Sequence, residues 1–286
     1  MKPRAIKDLF NVNDAEFLAE VSAGLRLCLG NAQRLWRDAR KLCTSRRPQG
    51  FEILRLFAEE EAAKFHILLD AVRCPRKPAD RFVRQLSYFN QHLAKGLYAG
   101  YYNFVRPSDL AEVRRYMDRE RQTLYLDGLN DVDWVFRNDI LRKREESIYV
   151  DYVAYADSAV DEHHWHSPDP RLMGLWLLSG RPRVLDVALA IHGAGMTTEA
   201  ALAKIADLWC ASPVDDTIKW PALHQLNVRT LNILEESRLL RVRPDSAYKR
   251  VANEWLFPLY PLDLGKLDID PEDLREVQRN WSPDGY

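Results

Sequence analysis

Eight apolar positions, Leu18, Val21, Leu25, Cys28, Ala32, Leu35, Ala39 and Leu42, follow one another at intervals that alternate between three and four residues. An α-helix turns once every ~3.6 residues, so this spacing lays one unbroken apolar seam along a single face. A strand cannot do this, because its side chains change face at every residue. A seam of about seven turns needs a partner surface of similar length, and a second long helix supplies it most simply. Asn13 stands just before the first turn, where its side-chain oxygen can accept from a free backbone N–H. The spacing therefore predicts a helix over residues 14 to about 42, in an all-α bundle of long antiparallel helices.

The partner follows at once. After a basic turn at residues 44–49, Pro48 suits the opening of a second helix over about residues 50–73. Its seam reads Phe51, Leu54, Ala58, Glu61, Phe65, Leu68 and Val72, and one member is a carboxylate. An ionised carboxylate taken from water without a partner is costly. Glu61 must be paired, protonated or facing a wet cleft, and Lys95 or Arg144 could pair with it. Glu60 and Lys64 stand four apart with the acid first, the favourable orientation for an intrahelical pair.

A third helix is expected over residues 80–105, with Phe82, Leu86, Phe89, Leu93, Leu97 and Tyr101 on its apolar face. Gly96 and Gly100 lie on it, each at a cost of about 1 kcal/mol relative to alanine, which points to close approach by a neighbour. Beside the apolar face runs a polar-aromatic stripe of Tyr88, His92, Lys95 and Tyr102. Ser108 and Asp109 open a fourth helix through Leu110, Val113, Met117 and Leu124, and a further helical stretch is expected over residues 148–160. The His-rich, proline-closed run at 163–170 is the best boundary between a bundle at 1–162 and a smaller helical region at 171–286 with a Pro-rich tail. That second part offers helices near 182–191, 198–209 and 221–240 and a short one after Asp270, and no segment of the chain carries a convincing strand period.

Composition narrows the class. With 47% hydrophobic and 29% charged residues the chain is globular, and a net charge of −1 excludes a global basic field for nonspecific duplex binding. Basic residues do cluster at Arg34, Arg37, Arg40, Lys41, Arg46 and Arg47, and again at Arg114, Arg115, Arg119 and Arg121, as solvated helix faces or as local nucleic-acid patches. Four scattered cysteines with no C-x-x-C fit reduced thiols in a cytosol, and the N-terminal Met-Lys-Pro-Arg has no apolar signal-peptide core. The longest apolar run, residues 172–178, is far too short to span a bilayer, so a cytoplasmic location without membrane contact is expected. No P-loop or G-x-S-x-G occurs, and His192-Gly-Ala-Gly195 lacks the spacing of a dinucleotide fingerprint. Asp157, Asp161 and His164 would share one helical face, but they sit at the boundary and no E-x-x-H pair occurs in the core helices. No bound metal or other cofactor is expected. The six tryptophans from Trp165 onward either pack a small helical module or offer a partner an aromatic surface.

Four motifs occur in order. Asn31-Ala32, Leu35, Asp38-Ala39 and Leu42 are followed by Glu60-Glu61-Ala-Ala-Lys64, by His92-Leu-Ala-Lys95, and by Arg144 with Tyr149-Val150-Asp151-Tyr152. Together they resemble the AbiV abortive-infection branch of the HEPN superfamily over about residues 22–155. That resemblance implies a helical bundle that dimerises, with a role in bacterial phage defence. Many HEPN proteins are metal-independent ribonucleases that use an R-x4-6-H motif. No arginine here precedes a histidine at that spacing; the nearest pair, Arg84 and His92, has seven residues between them.

Two functional readings remain open. In the first the chain is a metal-independent ribonuclease. His92 is then the general acid/base, Lys95 a phosphate contact, and Arg144 and Tyr149 supply further charge and a hydroxyl. Glu60, Glu61, Lys64 and Asp151 would support them electrostatically. RNA and a phage protein trigger are then the partners, with a homodimer as the working form. In the second, His92 and Lys95 only bond Glu60 and Glu61 across a helix interface, and the protein is a non-catalytic interaction factor that inhibits translation by binding.

Overall fold

A computed structural model of the chain describes residues 5–45, 47–103, 106–123, 140–141, 144, 148–155, 162–168, 180–212, 214–241, 245–268, 270 and 272. Helix α1 (Asp14–Thr44) carries the eight-position seam, with Val21, Leu25, Cys28, Ala32 and Ala39 buried. Asn13 Oδ1 accepts from the Glu16 N–H at 2.9 Å, as expected of the cap. Pro48 opens α2 (Pro48–Arg73), which returns antiparallel to α1. A Cβ added at Gly24 would lie 3.0 Å from Leu68 Cδ1, and one at Gly50 would lie 2.9 Å from Leu42 Cδ1. The two helices are therefore in close contact both at mid-length and near their connection.

The segment expected to form one helix over 80–105 is instead divided. It contains α3 (Ala79–Ser87), a 3₁₀ turn (Tyr88–Asn90) and α4 (His92–Tyr101). Ser87 Oγ donates to the Arg84 carbonyl at 2.7 Å and accepts from Gln91 Nε2 at 3.1 Å, so side chains compete with the helical ladder at the break. Gln91 itself is extended. The stripe of Tyr88, His92, Lys95 and Tyr102 is split accordingly: the Tyr88 hydroxyl bonds the 262–264 backbone, and the Tyr102 hydroxyl bonds His66. Helix α5 (Leu110–Glu120) has the expected Asp109 cap, which accepts from the Glu112 N–H at 2.8 Å. It stops well short of Leu124, where Gln122–Thr123 (β1) follows.

A second correction concerns residues 148–160. Asp151–Tyr155 is a strand (β2) paired antiparallel with Glu162–His166 (β3), and Tyr152 stands opposite Trp165. A short apolar run reads as either helix or strand by periodicity, and here the backbone of the His-rich segment provides a ladder that favours the strand. Of the three residues weighed as metal ligands, His164 lies in β3 and Asp157 and Asp161 lie outside the described residues, as does the short helix expected after Asp270 apart from Glu272. These strands and the two-residue parallel pairing of β1 with β4 (Leu267–Asp268) are minor additions to an all-α, HEPN-like core.

The C-terminal helices fall close to the expected places: α6 (Arg183–Gly193), α7 (Glu199–Cys210, capped by Thr198) and α8 (Trp220–Glu236). Helix α9 (Asp245–Glu254), in the Pro-rich stretch, was not foreseen. The α6–α9 helices share one hydrophobic core with α1–α5, and the irregular segment after α9 buries Leu256, Phe257, Leu259, Tyr260, Leu262 and Leu264 in it. A buried charged network fastens this segment to α2. Arg73 pairs with Asp70 and donates to the Leu256 carbonyl at 3.1 Å, while Asp70 Oδ2 accepts from Tyr98 Oη at 2.8 Å and from the Leu259 N–H at 2.7 Å. The Arg73 guanidinium lies over both Trp209 and Trp255, 4.6 and 4.5 Å from their rings. Those two tryptophans are thus core residues.

Candidate functional site

The break at Gln91 restarts the helix at His92, so that His92 and Lys95, one turn apart at the head of α4, both reach toward α2. They meet Glu60. Lys95 Nζ donates to Glu60 Oε2 at 2.6 Å, and His92 Nδ1 lies 3.1 and 3.2 Å from the two carboxylate oxygens. Lys95 Nζ and His92 Nδ1 are themselves 3.2 Å apart. Arg144 is the third basic residue, with Nε 3.2 Å from Glu60 Oε1. That nitrogen has no aligned hydrogen-bond acceptor, so it contributes charge without a formed bond.

Exposure differs sharply within the group. The Lys95 side chain is 6% exposed and that of Glu60 13%, whereas His92 is 44% exposed. Burial pushes the Glu60 carboxyl up, but bonds and charge from Lys95 and His92 outweigh it and hold the group below its ordinary value. Burial also lowers Lys95, and the Glu60 bond only partly offsets it. One carboxylate therefore faces a lysine, an arginine and a histidine. The excess of positive charge is the electrostatic condition for receiving an anion.

Gly96 explains how Arg144 arrives. A Cβ at this position would lie 2.0 Å from Ile140 Cγ2, an impossible contact. Glycine lets Ile140 rest directly on the α4 backbone, next to Lys95, and Arg144 follows four residues later. The second glycine, Gly100, faces Tyr116 Oη at 3.3 Å from its would-be Cβ.

The expected pairing within E-E-x-x-K is exchanged. Lys64 Nζ bonds Glu61 Oε1 at 2.6 Å, three residues apart, and lies 5.2 Å from the centre of the Phe89 ring. Glu60, expected to pair with Lys64, is the acid that receives Lys95, His92 and Arg144. Tyr149 is exposed and makes no bond to this cluster among the described residues. The backbone of Asp151 begins β2 opposite His166, and its side chain lies outside what is described. No group of histidines, cysteines and acids among the described residues is arranged to hold a metal ion.

Sequence reasoning passed over His66, one residue beyond Phe65 of the seam. It is fully buried between α2, α4 and α6, with Nε2 2.9 Å from the Val184 carbonyl and Nδ1 2.9 Å from Tyr102 Oη. Burial pulls it down to about 3, so it is neutral and structural: Nε2–H donates to the carbonyl and Nδ1 accepts from the tyrosine. The basic clusters noted in the sequence are answered by acidic neighbours only in part. Lys41 pairs with Asp38, Arg114 with Asp216, Arg119 with Glu120, and Arg121 with Asp118 and Asp263. Of the cysteines, Cys28 and Cys74 are buried thiols pushed up to about 12, and Cys210 is exposed.

A bundle led by two long antiparallel helices, with a carboxylate–cation cluster between its second and fourth helices, is a HEPN-type domain. The family described as AbiV, of the HEPN group, matches residues 20–171, and the chain belongs to that family. Membership ties it to abortive infection, a bacterial defence against phage. The match ends before α6, so helices α6–α9 lie beyond it. No curated protein and no solved structure matches the chain.

Proposed function

We propose that the protein acts on RNA in phage defence as a metal-independent endoribonuclease, with the Glu60 cluster as its active site. The observation that carries this reading is the convergence of His92, Lys95 and Arg144 on one carboxylate, with the histidine left most open to solvent. Glu60 can accept from the His92 Nδ1–H, which leaves Nε2 as a base aimed outward. That nitrogen takes the proton of a ribose 2′-OH. The 2′-oxygen bonds to phosphorus, the P–O5′ bond breaks, and the 5′-oxygen leaves as a hydroxyl with a proton from water. Lys95 and Arg144 stabilise the charge that develops on the phosphate. In this account the arginine and histidine that related nucleases carry on one motif come from separate segments and are brought together by Gly96. In the same reading Tyr149 supplies a further hydroxyl and Asp151 electrostatic support. The working form is a cytoplasmic homodimer released by a phage protein; no described helix is long and apolar enough to cross a membrane.

The near-complete burial of Lys95 supports a second reading, a binding factor that stops translation without cleaving RNA. Incubation of tRNA with wild type and His92→Ala in EDTA separates the two. Cleavage lost by about 10²–10⁴-fold in the variant is the result expected of a general base. Intact tRNA with a wild-type protein that still arrests translation supports the binding factor instead.

A further inference from the structure

Three chain segments meet at the turn between α6 and α7, outside the Glu60 cluster. From α1, Ser22 Oγ donates to the Thr197 carbonyl at 2.7 Å. Within the turn, His192 Nδ1 and Thr197 Oγ1 are 2.7 Å apart. From beyond α8, the Arg241 N–H donates to the Ala194 carbonyl at 3.1 Å. Gly195 has φ +88°, and a Cβ there would lie 2.9 Å from the Leu239 carbonyl and 3.2 Å from Arg241 Cγ. Only glycine takes this conformation easily and lets the 239–241 segment close onto the turn.

The convergence gathers positive charge. Arg26 stands one helical turn after Ser22 on α1, and Arg241 lies against Gly195. Both arginines are exposed, and His192 is half-buried at the turn. Burial, then Arg241, then Arg26 lower the His192 imidazole below its ordinary value. Arg26 and Arg241 have no ion-pair partner among the described residues. Cations held together without a counter-charge repel, and an anion placed among them removes the repulsion and gains charge-assisted hydrogen bonds. The Thr197 hydroxyl can donate to His192 Nδ1, which puts the ring proton on Nε2 as a further donor.

We propose that this corner is a phosphate-binding site, in which Arg26, Arg241 and the His192 Nε2–H hold the oxygens of one phosphate group, free or esterified. Arginine forks match phosphate oxygens, and the turn is held by the Ser22 hydroxyl from α1 and by the Arg241 N–H, which fixes the backbone that carries His192 and Arg241. The site is independent of the ribonuclease reading, because it uses no residue of the Glu60 cluster.

The test is a histidine-ring NMR titration of the full chain, with the His192 signal assigned by its loss in His192→Gln. Inorganic phosphate, adenosine monophosphate and a short RNA are added in turn at constant ionic strength set with chloride. A saturable movement of the His192 signal is expected with phosphate, weakened about tenfold or more in R26Q/R241Q and retained in His92→Ala. Thermal unfolding checks that the double variant is folded; if it melts early, each single variant is titrated instead. The ligand that saturates at the lowest concentration identifies free phosphate, a nucleotide or an RNA ester as the natural source. No saturable movement with any of them, or equal movement in the arginine variants, overturns the proposal.

Discussion

Lys95 Nζ lies 2.6 Å from Glu60 Oε2, and this contact, made 35 residues apart, takes Glu60 away from the lysine in its own helix. Lys64 is left to Glu61. The two neighbouring glutamates consequently have different work, and their neutral analogues should behave differently. Glu60→Gln strands a nearly buried ammonium and is expected to destabilise the fold by about 2 kcal/mol. Glu61→Gln leaves Lys64, which is 21% exposed and can still reach water, and should cost less, about 1 kcal/mol. Urea unfolding of both variants checks this; equal losses would show that the exchange of partners is unimportant.

Gly96→Ala probes the approach of Ile140. The added methyl group occupies the Ile140 Cγ2 position and must push the 140–144 segment outward, at about 1–3 kcal/mol. Arg144 should leave Glu60 with it, lowering RNA cleavage. Combining Gly96→Ala with Ile140→Ala restores the space and should recover part of the activity. An active, fully stable single variant would contradict the proposed support for Arg144.

The pH dependence of stability follows from His66. Its folded value is lowered from 6.5 to about 3, so between these limits the unfolded chain binds a proton that the folded chain refuses. Stability is therefore fully present above 6.5 and falls as the pH drops toward 3, by about 1.4 kcal/mol per unit. Glu60, also lowered, adds a loss in the same direction, beginning near the ordinary carboxylate value and complete below its folded value. In His66→Phe the slope of unfolding free energy against pH should shrink by one proton between pH 6 and about 4.5. An unchanged slope would mean that His66 takes its proton inside the fold.

Asp70 is expected to be the costliest single truncation. Asp70→Ala leaves Arg73 charged and buried between Trp209 and Trp255, and frees the Leu259 N–H. A loss of about 3–5 kcal/mol is expected, with the 255–264 segment becoming sensitive to proteolysis. Limited proteolysis of wild type and variant reads this directly; identical digestion patterns would rule out the network as the fastening of that segment.

The parts of this fold that were legible in the sequence are those set by local period. The α1 seam, the Asn13 and Asp109 caps and the Pro48 helix start depend on neighbours within a turn or two, and the structure reproduces them. The partner of Glu60 was not legible in this way. Adjacent helical residues point about 100° apart, and a seam averaging 3.5 residues per turn drifts around a helix, so spacing alone cannot decide whether position 60 or 61 meets α4. The decision rests on the break at Gln91, which turns the head of α4 and is made by Ser87 and Gln91 side chains. His92, Lys95 and Arg144 could be named as candidates, but their meeting at Glu60 is a tertiary fact. Asp70 and Arg73 likewise look like an ordinary i,i+3 surface pair until the segment after α9 covers them.

End-group analysis of tRNA treated with the protein in EDTA tests the central claim most directly. Attack by the 2′-oxygen under His92 control predicts fragments with 2′,3′-cyclic phosphate and 5′-hydroxyl ends, formed by wild type and absent with His92→Ala. Uncut tRNA, fragments with 5′-phosphate ends, or equal cutting by the variant would contradict it.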